Sequence, residues 1–106
     1  MTTKKGKSFG MKDLEKRLGK LTVGELIHTF RMTDELSLKE FGKLIGVSVA
    51  NLCDIEMGRK QVSAQRAAQM ARLLGYSVTV LVEMALEEEL AASGLDLQVS
   101  LRPRAA

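Results

Sequence analysis

Apolar positions in this chain recur mostly three and four residues apart, which is the period of an amphipathic α-helix. Polar capping residues precede several of these amphipathic stretches, and glycines follow several of them. The pattern predicts a short helix within residues 1–20 and five further helices. Those five begin at or near Thr22, Ser37, Ser48, Ser63 and Val78. The chain is therefore predicted to be all-α.

The segment LDLQVSLRP, residues 95–103, departs from the helical pattern because its apolar and polar residues alternate strictly. Its apolar face would hold Leu95, Leu97, Val99 and Leu101. The alternation predicts a short β-strand. Because a single strand leaves its backbone groups unpaired, we expect this strand to pair across a homodimer or with another protein. An extended tail packed on the helices is the alternative interpretation.

A sharp turn between two short helices is predicted at Gly46. Ser37 and Glu40 form a capping box before the first of these helices, and Ser48 caps the second. Glycine adopts the left-handed backbone that ends a helix without a Cβ penalty. Small or apolar residues occupy every position that two steeply crossed helices must bury. They are Phe41, Gly42, Ile45, Val47, Leu52 and Ile55. The pattern favours a helix-turn-helix over an ordinary helical hairpin.

Two stretches of the chain resemble the Cro/C1 repressor type of helix-turn-helix domain, often called the XRE family: LSLKEFGKLIGVSVANLCDIEMGRKQVS and RAAQMARLLGYS. The resemblance covers about residues 22–78 and implies a five-helix, lambda-repressor-like fold. Two further stretches resemble the small HigA-type antitoxins more specifically, namely NLCDIEMGRK and ALEEELAASGLDLQVSL. Such antitoxins neutralise a toxin protein and repress their own operon as dimers.

These features divide the chain into three parts. Residues 1–20 are predicted to form a basic N-terminal arm with a short helix, and residues 21–78 the helix-turn-helix DNA-binding domain. Residues 79–106 are predicted to supply a C-terminal helix and strand for dimerisation or partner binding.

The resemblance also implies a structural ion pair between Arg31, before the motif, and Glu56, near the end of the recognition helix. A charge held against a helical core is costly unless a partner satisfies it, so a buried pair at these positions makes physical sense. A solvated pair is the alternative.

Four residues are expected to face base edges by the same resemblance: Val49, Ala50, Asn51 and Asp54. Family members usually present Gln, Arg or Ser at such positions, and often Gln where Leu38 stands. Val49 and Ala50 offer only apolar contact, which suits thymine methyl groups, whereas Asp54 could accept from a cytosine amino group. Asn51 alone is able to make a bidentate contact with adenine. Few side chains at these positions can therefore distinguish bases by direct hydrogen bonding.

Phosphate contacts supply most of the affinity for DNA and require only donors in suitable places. Helix N-termini capped by serine offer backbone N–H groups to phosphates. The predicted phosphate contacts are Ser37, Lys39, Lys43, Ser48, Arg59, Lys60 and Gln61.

The formal net charge of +3 belongs to the N-terminal arm, because residues 1–20 hold seven basic and two acidic side chains and the remainder carries −2. Cys53 and His28 are the only cysteine and histidine, so neither a disulfide within the chain nor a metal site is expected. No catalytic arrangement is recognisable, and we expect neither enzymatic activity nor a cofactor. Without a bilayer-spanning run or signal peptide, the protein is expected in the cytoplasm, away from the membrane.

Two functions are consistent with these observations. The first is a sequence-specific repressor of a palindromic operator on double-stranded DNA that acts as a homodimer and also as an antitoxin against a toxin partner. The second is a protein-interaction module that keeps the helix-turn-helix fold with little DNA readout. The capped motif and the flanking Arg59 and Lys60 favour the first, and the sparse reading side chains favour the second.

Overall fold

A computed structural model describes residues 21–105 of the 106-residue chain. The predicted N-terminal arm and its short helix fall on residues 1–20 and lie outside the described residues. The described residues form five helices: α1 Val23–Thr33, α2 Leu38–Ile45, α3 Val49–Glu56, α4 Ala64–Leu74 and α5 Val78–Ala92. The predicted five-helix, all-α fold is confirmed.

Each helix begins at a hydroxyl side chain that accepts a hydrogen bond from a backbone amide three residues on. These N-cap residues are Thr22, Ser37, Ser48, Ser63 and Ser77. The hydroxyl satisfies an amide that has no partner within its own helix, which stabilises each start locally. The boundaries of the elements therefore follow from short-range chemistry.

One core lies between the helices. Its largest fully buried side chains come from α1 to α5 and include Phe41, Leu26, Ile27, Leu52, Met70, Leu81 and Val23. Helix α5 packs mainly against α4, while α1 packs against α3 and α5. Burying apolar surface stabilises the fold by about 25 cal/mol per Å². This core fixes the crossing of α2 and α3.

Two glycines allow backbones to approach closely within this core. A Cβ on Gly24 of α1 would collide with the carbonyl oxygen of Ile55 in α3. A Cβ on Gly42 of α2 would lie 2.5 Å from the carbonyl oxygen of Val47, just after the turn. The absence of these side chains thus lets α1 and the turn pack directly on their neighbours.

The β-strand predicted at residues 95–103 is not observed in the single chain, because the described residues contain no strand. Instead, the backbone amides of Val99 and Leu101 donate to the carboxylates of Glu87 and Glu83, respectively. The donor–acceptor distance is 2.7 Å in each case. A strand requires a neighbouring strand, and the single chain provides side-chain acceptors on α5 in its place. The segment therefore packs against α5 as a tail, with Leu95 and Leu97 exposed.

Candidate nucleic-acid interface

The turn between α2 and α3 orients the recognition helix. Gly46 ends α2 in the left-handed conformation, with φ +72° and ψ +35°. The amide of Val47 then donates to the carbonyl of Gly42 over 2.8 Å, and Val47 itself is buried. Ser48 starts α3 two residues after the glycine. The first turn of α3 is thereby held at the surface while Leu52 and Ile55 enter the core.

The candidate base-reading residues share the outer face of α3. Val49 and Ala50 are exposed, and Asn51 and Asp54 are half-buried. The hydroxyl of Ser48 accepts from the amide of Asn51 over 3.2 Å. The structure thus brings the four residues together at and just beyond the N-terminus of one helix, the part that meets base edges in helix-turn-helix proteins.

Side chains from the loop after α3 engage the two polar members of this group. Lys60 Nζ lies 2.8 Å from Asn51 Oδ1. Arg59 Nε donates to Asp54 Oδ1 over 3.0 Å, and Arg59 Nη2 lies 3.8 Å from Cys53 Sγ. The acidic charge on the recognition helix is therefore balanced from within the chain. Sequence reasoning missed both contacts, although a basic pair directly after the glycine that follows the helix was a usable signal.

The predicted phosphate contacts lie on α2 and its N-cap, at the N-cap of α3, and in the loop after α3. Lys39 and Lys43 are exposed on α2, and Arg59 and Lys60 are exposed in the loop after α3. Ser37 is engaged in its own capping box, since its Oγ accepts from the amide of Glu40 and its amide donates to the Glu40 carboxylate. The backbone amide of Ser37, followed by the Ser37 side chain, holds the pKa of the Glu40 carboxyl below its usual value.

Gln61 is placed differently from its neighbours in the loop. Its Nε2 lies 3.5 Å from the carbonyl oxygen of Glu88 in α5, which directs the side chain toward α5. The exposed cations Arg59 and Lys60 turn toward α3 instead. The Gln61 side chain therefore contacts α5, whereas those of Arg59 and Lys60 contact α3.

An open cavity of about 230 Å³ adjoins the reading face on the side of α4. Its lining residues are Asn51, Ile55, Lys60, Gln61, Ser63 and Arg66. Arg66 and the α4 N-terminus at Ser63 add a cation and free amide groups next to Lys60. Sequence reasoning identified Ser63 only as a cap and overlooked Arg66. The signal that could have found them is a serine cap with an arginine three residues later, close in sequence to Arg59 and Lys60.

Behind the reading face, Arg31 and Glu56 form an ion pair between α1 and α3. Arg31 Nε lies 2.8 Å from Glu56 Oε2, and Arg31 Nη2 lies 2.9 Å from Glu56 Oε1. Arg31 also donates from Nη1 to the carbonyl of Leu36 over 3.0 Å. Only 15% of the Arg31 side chain and 6% of the Glu56 side chain are exposed. The pair thus joins α1, the following loop and the end of α3.

His28 completes this cluster, with its Nδ1 2.8 Å from Glu56 Oε1. Burial of the Glu56 carboxyl opposes its ionisation, but the hydrogen bonds from Arg31 and His28 outweigh burial and hold the pKa of Glu56 below its usual value. The hydrogen bond to Glu56 likewise raises the pKa of Arg31. His28 was not recognised from the sequence, although it stands one helical turn before Arg31 on the same face of α1.

The fold and this surface define a class of protein: a helix-turn-helix DNA-binding protein. A family model described as a helix-turn-helix domain matches residues 22–84, which is more than half of the chain. The chain therefore belongs to this helix-turn-helix family, of the XRE/Cro-like kind, and the prediction of such a domain is confirmed. This membership indicates sequence-specific DNA binding and a part in the regulation of transcription.

Comparisons with curated proteins and with solved structures found no match to the chain. Within residues 21–105, no helix combines the length and the apolar character that crossing a bilayer requires.

Proposed function

We propose that this protein is a transcriptional repressor that binds a palindromic operator as a homodimer, with α3 of each copy in a major groove. The observation that carries the proposal is that one continuous surface holds both the candidate reading residues and the neighbouring cations. The exposed first turn of α3 lies directly beside the cations of the following loop. A dimer would place two such helices about one turn of DNA, ~34 Å, apart.

Direct reading would combine apolar and polar contacts. Val49 and Ala50 are suited to thymine methyl groups. Because Lys60 occupies the Oδ1 side of Asn51, the Nδ2 group of Asn51 is left to donate, for example to the N7 atom of a purine. Asn51 then acts as a donor, with Lys60 fixing its amide orientation.

Arg59 adds a reading group that the sparse helix lacks. Its Nε and one Nη2 hydrogen face Asp54 and Cys53, so the outer edge of the guanidinium, Nη1 with the second Nη2 hydrogen, remains available. That edge presents two parallel donors, the geometry that matches guanine O6 and N7 or a phosphate. In this proposal Asp54 is a positioning residue that holds Arg59, and it does not itself contact a base.

Fluorescence anisotropy tests the proposal with the purified protein on its own promoter fragment and on a scrambled duplex, each at two salt concentrations. We expect tighter binding to the promoter, with affinity falling as salt rises because phosphate contacts release counterions. Asn51→Ala should reduce promoter binding far more than binding to the scrambled duplex. Equal or absent binding to the two duplexes would overturn the proposal and favour a protein-interaction module with little DNA readout.

We propose further that the repressor is an antitoxin with a toxin protein as partner. The observations that favour this role are the exposed Leu95 and Leu97 of the tail and, within the acidic run Glu87–Glu89 of α5, the exposed Glu89. A basic ribonuclease toxin would complement such a surface in charge. Expression of a neighbouring open reading frame, alone and together with this chain, tests the role. Growth arrest that this chain relieves supports it, and a harmless neighbour that does not bind the chain contradicts it.

A further inference from the structure

The C-terminal tail, residues 95–102, is held along one of its two backbone edges. The amides of Val99 and Leu101, two residues apart, donate to Glu87 and Glu83, four residues apart on α5. Four residues of helix rise about 6 Å and two residues of extended chain about 6.6 Å, so the two spacings match. The tail is therefore held in an extended form at Val99 and Leu101, whose amides face α5.

Among residues 21–105, no such acceptors are found at the opposite edge of the tail. In an extended chain successive N–H and C=O groups alternate between edges, so the groups of Gln98, Ser100 and Arg102 point away from α5. No hydrogen bond links these three amides to any of the described residues. An extended edge of this kind is a ready template for another extended chain.

We propose that this edge binds the same edge of a second copy, forming an antiparallel two-stranded ribbon with Val99 on the two-fold axis. This inference rests on the proposed function in one respect, the homodimer. It adds the surface through which the two copies associate. Val99 then lies opposite the partner's Val99. The even-numbered residues form the hydrogen-bonded pairs, because their N–H and C=O groups lie on the edge that α5 leaves free.

Charge complementarity supports this register. Asp96 lies opposite the partner's Arg102 on the polar face, and the same pair recurs on the other side of the axis. On the apolar face, the exposed Leu97 lies opposite the partner's Leu101. Opposite charges and apolar residues at facing positions each stabilise an antiparallel pair.

Pro103 also fits this register. It is odd-numbered, so it falls at a position without ladder hydrogen bonds, where its missing N–H costs nothing. Moving the axis to Gln98 would place Asp96 opposite Ser100 and leave its charge unmatched. Moving it to Ser100 would place Leu97 opposite Pro103 and Asp96 opposite Arg104. The register with Val99 on the axis pairs all the apolar residues from Leu97 to Leu101 with one another.

Helix α5 supplies the support that such a ribbon requires. An isolated pair of strands is marginally stable in water, whereas packing against a helix stabilises it. Val99 and Leu101 are half-buried, and Glu83 and Glu87 hold their amides. Each copy therefore presents its edge already extended, which lowers the entropy lost on association.

Charge reversal tests the pairing by sedimentation velocity without DNA. Asp96→Arg and Arg102→Asp should each raise the dimer Kd roughly tenfold, because every dimer contains two copies of the altered pair. The double variant restores opposite charges and should return the Kd to within about threefold of the original. Arg104→Asp is the matched control, and its Kd should stay within about threefold of the original, since Arg104 faces Asp96 only when Ser100 is on the axis.

Cysteine cross-linking tests the axis itself in a Cys53→Ala background. Val99→Cys should form a disulfide-linked dimer under mild oxidation, since residues opposite each other at a site without ladder hydrogen bonds have Cα atoms about 4.5 Å apart. Gln98→Cys and Ser100→Cys should link poorly, because each would meet its own copy only across a diagonal of about 7–8 Å.

The outcomes separate this inference from the proposed function. A dimer whose Kd does not respond to charge reversal, or that links through residue 98 or 100 in preference to 99, overturns the register and leaves the dimeric repressor intact. A protein that stays monomeric at all concentrations overturns the pairing. The promoter titration reports on DNA binding independently of either result.

Discussion

Arg31 of α1 holds the Glu56 carboxylate at the end of α3 through two hydrogen bonds, Nε to Oε2 over 2.8 Å and Nη2 to Oε1 over 2.9 Å. The same guanidinium reaches the carbonyl of Leu36. One side chain therefore ties the recognition helix to the helix before the motif and to the loop that leads into it. The orientation of the reading face depends on this contact as well as on the turn at Gly46.

Glu56→Ala should lower the free energy of unfolding by about 3 kcal/mol, because it leaves the largely buried Arg31 guanidinium without its partner. Asp54→Ala is the matched control, since it removes an ion pair whose side chains, Arg59 and Asp54, are 57% and 43% exposed. The control should change stability by no more than about 0.5 kcal/mol. Urea unfolding followed by circular dichroism measures both, and equal losses would contradict a structural role for the buried pair.

Glu88→Gln should raise the melting temperature at pH 7. Burial, followed by the nearby charge of Glu25, raises the pKa of Glu88 even though its carboxylate accepts from the amide of Val23. A raised pKa in the folded state means that this group's contribution to stability is complete below pH 4.5 and is lost as pH rises through its folded pKa. Glutamine carries no charge to bury and retains an oxygen that can accept from Val23.

The advantage of Glu88→Gln over the unaltered protein should therefore disappear below pH 4.5. Glu56 behaves in the opposite sense, because its lowered pKa gives stability above pH 4.5 that is lost as pH falls through its folded pKa. This loss is the same in the Glu88→Gln variant and in the unaltered protein, so it does not affect their difference. Thermal unfolding at pH 7 and at low pH measures the difference, with Glu89→Gln on the exposed side of α5 as a control that should change little. A gain that persists at low pH would exclude ionisation of Glu88 as the cause.

Gly24→Ala should destabilise the protein more than Gly46→Ala does. The added Cβ at position 24 meets the backbone of Ile55, so α1 and α3 must separate, at a cost of about 3 kcal/mol. At position 46 there is open space, and only the left-handed conformation at φ +72° is penalised, by about 1 kcal/mol. Chemical unfolding of the two variants gives the order, and the reverse order would show that α1 does not pack this closely on α3.

Asp54→Ala should weaken discrimination between promoter and scrambled duplex by roughly tenfold, because Arg59 loses the acceptor that positions it. Electrostatics alone predicts the opposite direction for total affinity, since removing an acid from a DNA-facing helix reduces repulsion. The ratio of the two Kd values measured by anisotropy separates the effects, with Glu89→Ala on α5 as a charge-matched control. An unchanged ratio would mean that Arg59 contacts only the phosphate backbone.

Much of the fold was predictable from local sequence. The informative signals were serine and threonine caps, apolar residues at helical spacing, and Gly46. Each acts on neighbours a few residues away, so it can be interpreted without knowledge of the tertiary fold. These signals indicated the five helices and the helix-turn-helix. The resemblance to Cro/C1 repressors suggested the candidate reading residues on one of these helices and the pairing of Arg31 with Glu56.

The tail and the loop after α3 depended on contacts that local patterns do not encode. The alternation at residues 95–101 indicates an extended chain, but whether its amides meet a strand or the carboxylates of α5 depends on what the fold places beside it. Likewise, Asp54 looks repulsive in the sequence and is balanced by Arg59 only once the loop folds back. Helix starts are determined by bonds between near neighbours, whereas these side-chain pairings require the tertiary structure to bring distant groups within hydrogen-bonding distance.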